Sequence, residues 1–263
     1  MDPDGVDLPD YRKWLVDGKP VSDGLNLAGL KPADGGVQSR AASLPYTPPY
    51  MAVWEKRVAT AAAGRPVATV GAYCWPLGVI ARYHSGPGVV VTSRGVIGRV
   101  IFEITQTPGR VLIAFPGGPG AADLSRIYTD GRPHPDLSPE DHTMAGHTIG
   151  HWRNDGVLVT DTIGVRKEGD LGGELPHSDA IHVVTTYRVT PDKRHMDVSF
   201  HITDRKALAK PVELKLRFRK VTNGELPNIF CEGSTAGGIA PDADGYMGYE
   251  PPKTLPGWDL PED

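Results

Sequence analysis

Two-residue alternation of apolar and polar side chains dominates the second half of this chain, and it limits the fold more than any other feature. Met196, Val198, Phe200 and Ile202 alternate with Asp197, Ser199, His201 and Thr203. Leu214, Leu216 and Phe218 alternate with Lys215, Arg217 and Arg219 in the same way. Successive side chains of a strand point to opposite faces, so both runs are half-buried strands with one wet face. GVVVTSR, VIGRVIFEITQ, RVLIAF and IHVVTTYRV add strands, punctuated by Thr107-Pro108-Gly109 and the turn TPDKR. Many short strands joined by hairpin-length turns predict a mainly β fold, an antiparallel β-barrel of calycin-like type. Closure is favoured because it removes exposed edges and leaves a cavity.

Outside this region the pattern changes. Residues 49–63, PYMAVWEKRVATAAA, place Met51, Trp54 and Val58 at i, i+3 and i+7, and Gly64 and Pro66 end the run. That spacing predicts one amphipathic helix. Residues 1–48, rich in Gly, Pro and Asp, read as an extended N-terminal arm. Residues 236–263 read as a Pro/Gly-rich acidic tail, which leaves 49–235 as a single helix-plus-barrel domain.

Composition narrows the function classes. At 263 residues the chain can bury a substantial core without staples, and its formal net charge of −4 gives no electrostatic reason to expect nucleic acid. No apolar run approaches the ~20 residues of a membrane-spanning helix. The start MDPDGVDLPDYRKW is acidic and lacks a basic segment followed by an apolar one. As written it carries no secretory signal, and the location stays open between cytoplasmic and exported with a leader removed. Cys74 and Cys231 are too few for a thiolate metal site. A bridge between them and two buried thiols are both open readings. Gly117-Gly118-Pro119-Gly120 lacks the phosphate-loop pattern and GSTAGG at 233–238 lacks a nucleophile elbow. No organic cofactor is expected.

The chemistry gathers in residues 127–163, and six of the nine histidines lie between His134 and His182. AGHTIGHWRNDGVLVTDTI reads as a β-hairpin closed by Asn154-Asp155-Gly156 with glycine in the left-handed position. That loop pairs Arg153 with Val157, Trp152 with Leu158, His151 with Val159 and Ile149 with Asp161. His147 and His151 then share a face with Asp161, which lies diagonal to both within ~7–8 Å. A two-residue Asp155-Gly156 loop shifts the register by one and scatters the three. Three chemistries suit the group. They are a histidine base oriented by a carboxylate, a metal held by His147, His151 and Asp161, or a purely structural hydrogen-bonded cluster. Tyr128, Asp130 and His134 are placed beside the hairpin, and Arg126, Trp152, His177 and Asp179 are candidate substrate contacts. His177, Ser178 and Asp179 do not form a triad, since neighbours on a strand face opposite ways.

These segments resemble a large group of bacterial proteins, mostly uncharacterised and often exported. Their hallmarks are RRIYTDGRxHP, GHSIGxWEGDTLVVDT and HSDALHVVERYRR. Here they stand as SRIYTDGRPHP (125–135), GHTIGHWRNDGVLVTDT (146–162) and HSDAIHVVTTYRV (177–189), with ITDRKALAKPV (202–212) matching a later block. The likeness runs over roughly 48–220. Two departures stand out: WRNDGV is one residue longer than WEGDT, and Thr185-Thr186 replace a Glu-Arg pair. Members carry cysteines in positions like those of Cys74 and Cys231, so the resemblance implies a bridge. It names no reaction.

The expectation is a cofactor-independent acid–base enzyme of lyase or isomerase type, carrying out dehydration, isomerisation, cyclisation or retro-aldol cleavage. It would act on a small, largely apolar carbonyl- or hydroxyl-bearing substrate in a barrel cavity. His147 or His151 serves as base, Asp161 orients it, and Tyr128 donates to a developing oxyanion, with Asp130 and His134 completing the site. No metal is assigned in this reading. The alternatives are a non-catalytic barrel for a lipophilic ligand and a metal-dependent hydrolase or oxygenase. A small molecule is the expected partner, and a homo-oligomer stays open.

Overall fold

The computed structural model describes residues 12–21, 44–62, 75–83, 89–92, 95–98, 101–115, 123–172, 175–221, 226 and 260–261. The elements are β1 (Arg12–Val16), β2 (Lys19–Val21), α1 (Pro48–Ala62), β3 (Val89–Thr92), β4 (Gly95–Gly98), β5 (Glu103–Thr107) and β6 (Arg110–Phe115). They continue with β7 (Asp123–Tyr128), β8 (His147–Trp152), β9 (Leu158–Ile163), β10 (Ile181–Val189), β11 (His195–Asp204) and β12 (Val212–Arg219). Ten strands form one sheet in the order β2-β1-β12-β11-β10-β9-β8-β7-β6-β5, and β3-β4 form a separate pair. Among the described residues the protein is mainly β with one α-helix.

Alternation decides which face is buried. Val198, Phe200, Ile202, Leu214, Leu216 and Phe218 point to the core, as do Val183 and Ile113, all 7% exposed or less. Tyr83, in a 3-10 turn at Ala81–Tyr83, sits at the centre of this face. Its ring lies 4.9 Å from Phe115 on β6, 5.1 Å from Phe200 on β11 and 6.2 Å from Phe218 on β12. Phe102, just before β5, touches Phe218 at 4.8 Å. In a flat sheet, β5 and β12 would stand about 33 Å apart, seven steps of ~4.8 Å. One tyrosine therefore holds the sheet in a tight curl.

The expected closed antiparallel barrel needs correcting in two respects. β5 and β2 are the sheet edges, and among the described residues no ladder joins them. The sheet is also mixed, because β7 and β8 run parallel through Ile127↔Thr148 and Tyr128↔Ile149. A parallel pair needs a crossover connection rather than a tight turn. Here residues 129–146 make it, and this path fixes where His134 ends up.

Three further differences concern the ends and one strand. The arm expected over 1–48 contributes β1, which pairs with β12 and buries Trp14 to 2% exposure. An apolar Trp-Leu-Val run within the Gly/Pro-rich composition is enough to complete a sheet edge. VIGRVIFEITQ is not one strand: β4 and β5 belong to different sheets. In the tail, Leu260 packs into the core. The helix appears as expected, with Pro48 in its first turn. Its buried stripe runs through Tyr50, Val53, Trp54 and Arg57, with Met51 partly buried against the core. The side chain of Val58, and Cys74 and Cys231 on which the expected bridge depends, lie outside the described residues. No helix among the described residues is long and apolar enough to cross a membrane.

Candidate acid–base site

The β8–β9 hairpin has the register that the three-residue loop requires. His151 pairs with Val159, Ile149 with Asp161 and His147 with Ile163. The Arg153 amide donates to the Val157 carbonyl at 2.9 Å, and the Gly156 amide to the Arg153 carbonyl at 3.0 Å. Gly156 has φ +76°, the left-handed value that the loop demands. On the core face, Thr148 and Thr162 hydroxyls hydrogen-bond at 2.9 Å and pin the pairing from beneath.

Asp161 occupies the middle of the opposite, outer face. A single row crosses the sheet there: Arg110, Tyr128, Ile149, Asp161, Val184 and His201 stand opposite one another on successive strands. His147 and His182 lie diagonal to Asp161 on the strands to either side. The crossover 129–146 brings His134 over this face. His134 Nε2 lies 3.1 Å from Asp161 Oδ1, and His134 Nδ1 lies 2.8 Å from His147 Nδ1. His182 Nε2 reaches the same Asp161 Oδ1 at 2.8 Å. The result is a chain His147–His134–Asp161–His182.

Ionised Asp161 can only accept, so both Nε2 atoms that contact it must carry hydrogen. A neutral His134 then has a bare Nδ1, which must accept from His147 Nδ1–H. By elimination the lone pair of His147 lies on Nε2. Burial, followed by the charges of His134 and Arg132, pushes the His147 pKa below the ordinary histidine value. The far side of the His147 ring is thus braced by a second imidazole and a carboxylate.

Tyr128 stacks on His147, with centroids 5.4 Å apart and planes 21° from parallel. The Arg132 guanidinium lies 4.1 Å from the Tyr128 ring centroid, within cation–π range. Asp130 engages Arg132 through both carboxylate oxygens, Nε at 2.9 and 3.0 Å and Nη2 at 2.6 Å. That contact holds the Asp130 carboxyl below the usual carboxylate range. Asp130 therefore orients Arg132 and does not reach the histidines itself.

Several expected members stand elsewhere. His151 is exposed at the turn end of β8 and makes no contact with the cluster. Trp152, opposite core-facing Leu158, projects from the other side of the sheet and is 46% exposed. His177 is 2% exposed, with Nδ1 on the Ser178 carbonyl oxygen at 2.9 Å, and burial lowers its pKa. Asp179 pairs with Lys206 Nζ at 2.9 Å. Ser178 is tied instead to buried Asp204, its amide at 2.7 Å and its hydroxyl at 2.6 Å. Arg126 is on the outer face, two residues before Tyr128, and exposed. The set His147, His151 and Asp161 does not assemble as metal ligands. Among the described residues no group of three or more His, Cys, Asp or Glu is arranged to hold a metal ion. His182 was missed by sequence reasoning. Its signal was its place in IHVVTTYRV, on the face that carries Val184 and Thr186.

No protein-family model, curated protein or solved structure matches this chain. The chemical reading rests on the geometry.

Proposed function

We propose that this protein is a cofactor-independent acid–base enzyme of lyase or isomerase type. Its substrate is a small carbonyl- or hydroxyl-bearing compound, and the reaction is a dehydration, isomerisation, cyclisation or retro-aldol cleavage. The observation that carries the reading is the 2.8 Å contact between His134 Nδ1 and His147 Nδ1, continued to Asp161. It leaves His147 Nε2 as the basic atom. In the proton-abstraction step, Nε2 takes a proton from carbon next to a carbonyl, and the C–H electron pair becomes the C=C bond of an enolate. His147 Nδ1–H passes its proton to His134, which places the positive charge beside Asp161. Tyr128 donates to the enolate oxygen. Return of the proton to a different atom gives isomerisation, and its delivery to a departing hydroxyl gives dehydration.

The site lies on the outer face of the sheet, under the 129–146 crossover, and not in a barrel cavity. Ile149, Val159, Ile163 and Val184 surround Asp161 and give the substrate an apolar floor. The contact of Phe102 with Phe218 supports a barrel-type, calycin-like curl. A lipophilic ligand would need space on the core face, where Tyr83 is packed among aromatic rings. The motif resemblance adds support, since its first three blocks supply Tyr128, His134, His147, Asp161 and His182.

Hydrogen–deuterium exchange of small ketones and β-hydroxyketones in D2O, followed by NMR, tests the proposal. Exchange by the wild type should fall by about 10²–10⁴ in His147→Gln. A folded His147→Gln variant that exchanges as fast as the wild type would sink it.

A further inference from the structure

We infer that the site includes a carboxylate-binding pair, Arg110 and Arg126, so that its substrate is a small organic acid; this rests on the acid–base reading of His147. Arg110 stands opposite Tyr128 across β6 and β7, and Arg126 precedes Tyr128 by two residues on the same strand. The two arginines are therefore diagonal neighbours on the outer face. Arg110 Cζ lies 5.5 Å from the Tyr128 ring centroid, and the same ring has Arg132 Cζ at 4.1 Å and the stacked His147 ring at 5.4 Å. A short acyl chain can reach from Arg110 to His147.

These arginines differ from five others in having no acid partner among the described residues. Arg132, Arg153, Arg166, Arg188 and Arg217 each pair with a carboxylate. Arg110 and Arg126 are exposed and have no such partner among the described residues. Asp130, two residues after Tyr128, is engaged by Arg132, and Glu103 on β5 pairs with Ala114, two positions along β6 from Leu112, the partner of Arg126. In a chain of net charge −4, two adjacent uncommitted guanidiniums beside a histidine base form a local positive site. Guanidinium forks match a carboxylate in plane and spacing. A carboxylate held there keeps the rest of the acid beside Tyr128, on the face of the sheet that carries His147.

The test uses phenylacetate and its neutral isostere phenylacetamide, with binding followed by NMR titration at pH 8 and low salt. Ordinary histidines are neutral at that pH, so the arginines are the cations being measured. The wild type should prefer phenylacetate by tenfold or more. Arg110→Gln/Arg126→Gln, both at exposed positions, should bring the two probes level while circular dichroism stays unchanged. His147→Gln should keep the preference. Equal binding of the two probes by the wild type, binding of neither, or an undiminished preference in the double variant would overturn the inference. So would inorganic phosphate binding more tightly than phenylacetate, which would reassign the pair to phosphate. Failure of the acid–base reading looks different: His147→Gln would exchange carbon-bound protons normally while the charge preference persisted.

Discussion

His134 and His147 meet through their Nδ1 atoms at 2.8 Å, and because Asp161 occupies His134 Nε2, this contact dictates the tautomer of both rings. His147 must carry its hydrogen on Nδ1, and His134 on Nε2. Long-range 1H–15N correlation spectra above pH 7.5 should show these opposite tautomers. In Asp161→Asn the assignment of His134 should become mixed. Finding the Nε2–H form for His147 in the wild type would remove the basis for Nε2 as the base.

The lowered His147 and His177 values set a direction for stability against pH. Both groups bind protons less readily in the folded chain than in the unfolded one. As pH falls through the ordinary histidine value of 6.5, the unfolded state takes up protons that the folded state does not. Stability should therefore decline from about pH 6.5 downward and level off below the folded values. Urea unfolding midpoints between pH 8 and 5 measure this. His177→Gln should flatten the slope, provided the variant keeps its fold by circular dichroism.

Gly146 delivers the chain into β8 immediately before His147. Its φ is +67°, and a Cβ there would stand 2.7 Å from the Ile163 carbonyl oxygen and 2.8 Å from Thr162 Cγ2. Gly146→Ala should cost about 2 kcal/mol or more, from left-handed strain and the backbone clash together. Gly156 offers the contrast, since it has φ +76° and open space around it. Gly156→Asn should change stability by less than about 1 kcal/mol, because asparagine tolerates the left-handed region. Thermal unfolding of the two variants side by side tests the difference.

Tyr83 and Tyr187 share a buried hydroxyl–hydroxyl bond of 2.7 Å, and burial pushes the Tyr187 pKa up to about 12. Tyr83→Phe strands the Tyr187 hydroxyl and should cost about 1–3 kcal/mol. Tyr83→Phe/Tyr187→Phe removes both polar groups and should recover part of that loss. A double-mutant cycle by chemical denaturation reads the coupling. Additive costs would contradict the pairing.

The sequence by itself determined the faces of β11 and β12 and the β8–β9 hairpin. Alternation in MDVSFHIT and VELKLRFR assigned each side chain to a face, because a strand's period of two leaves no other choice. Asn154-Asp155-Gly156 fixed which residues face each other across β8 and β9, since only glycine readily takes the left-handed position there. Asp161 and His147 followed from that register. Tertiary structure decided the rest. His134 joins the site because β7 and β8 run parallel, and the connection that such a pair needs happens to cross the outer face. His182 joins because β10 lies against β9, a pairing that no local pattern encodes. His151 drops out for the opposite reason: it shares the right face but sits two pairs nearer the turn than Asp161, beyond the reach of the crossover. The curl around Tyr83 was equally hidden, because it comes from aromatic contacts between strands that are far apart in the sheet.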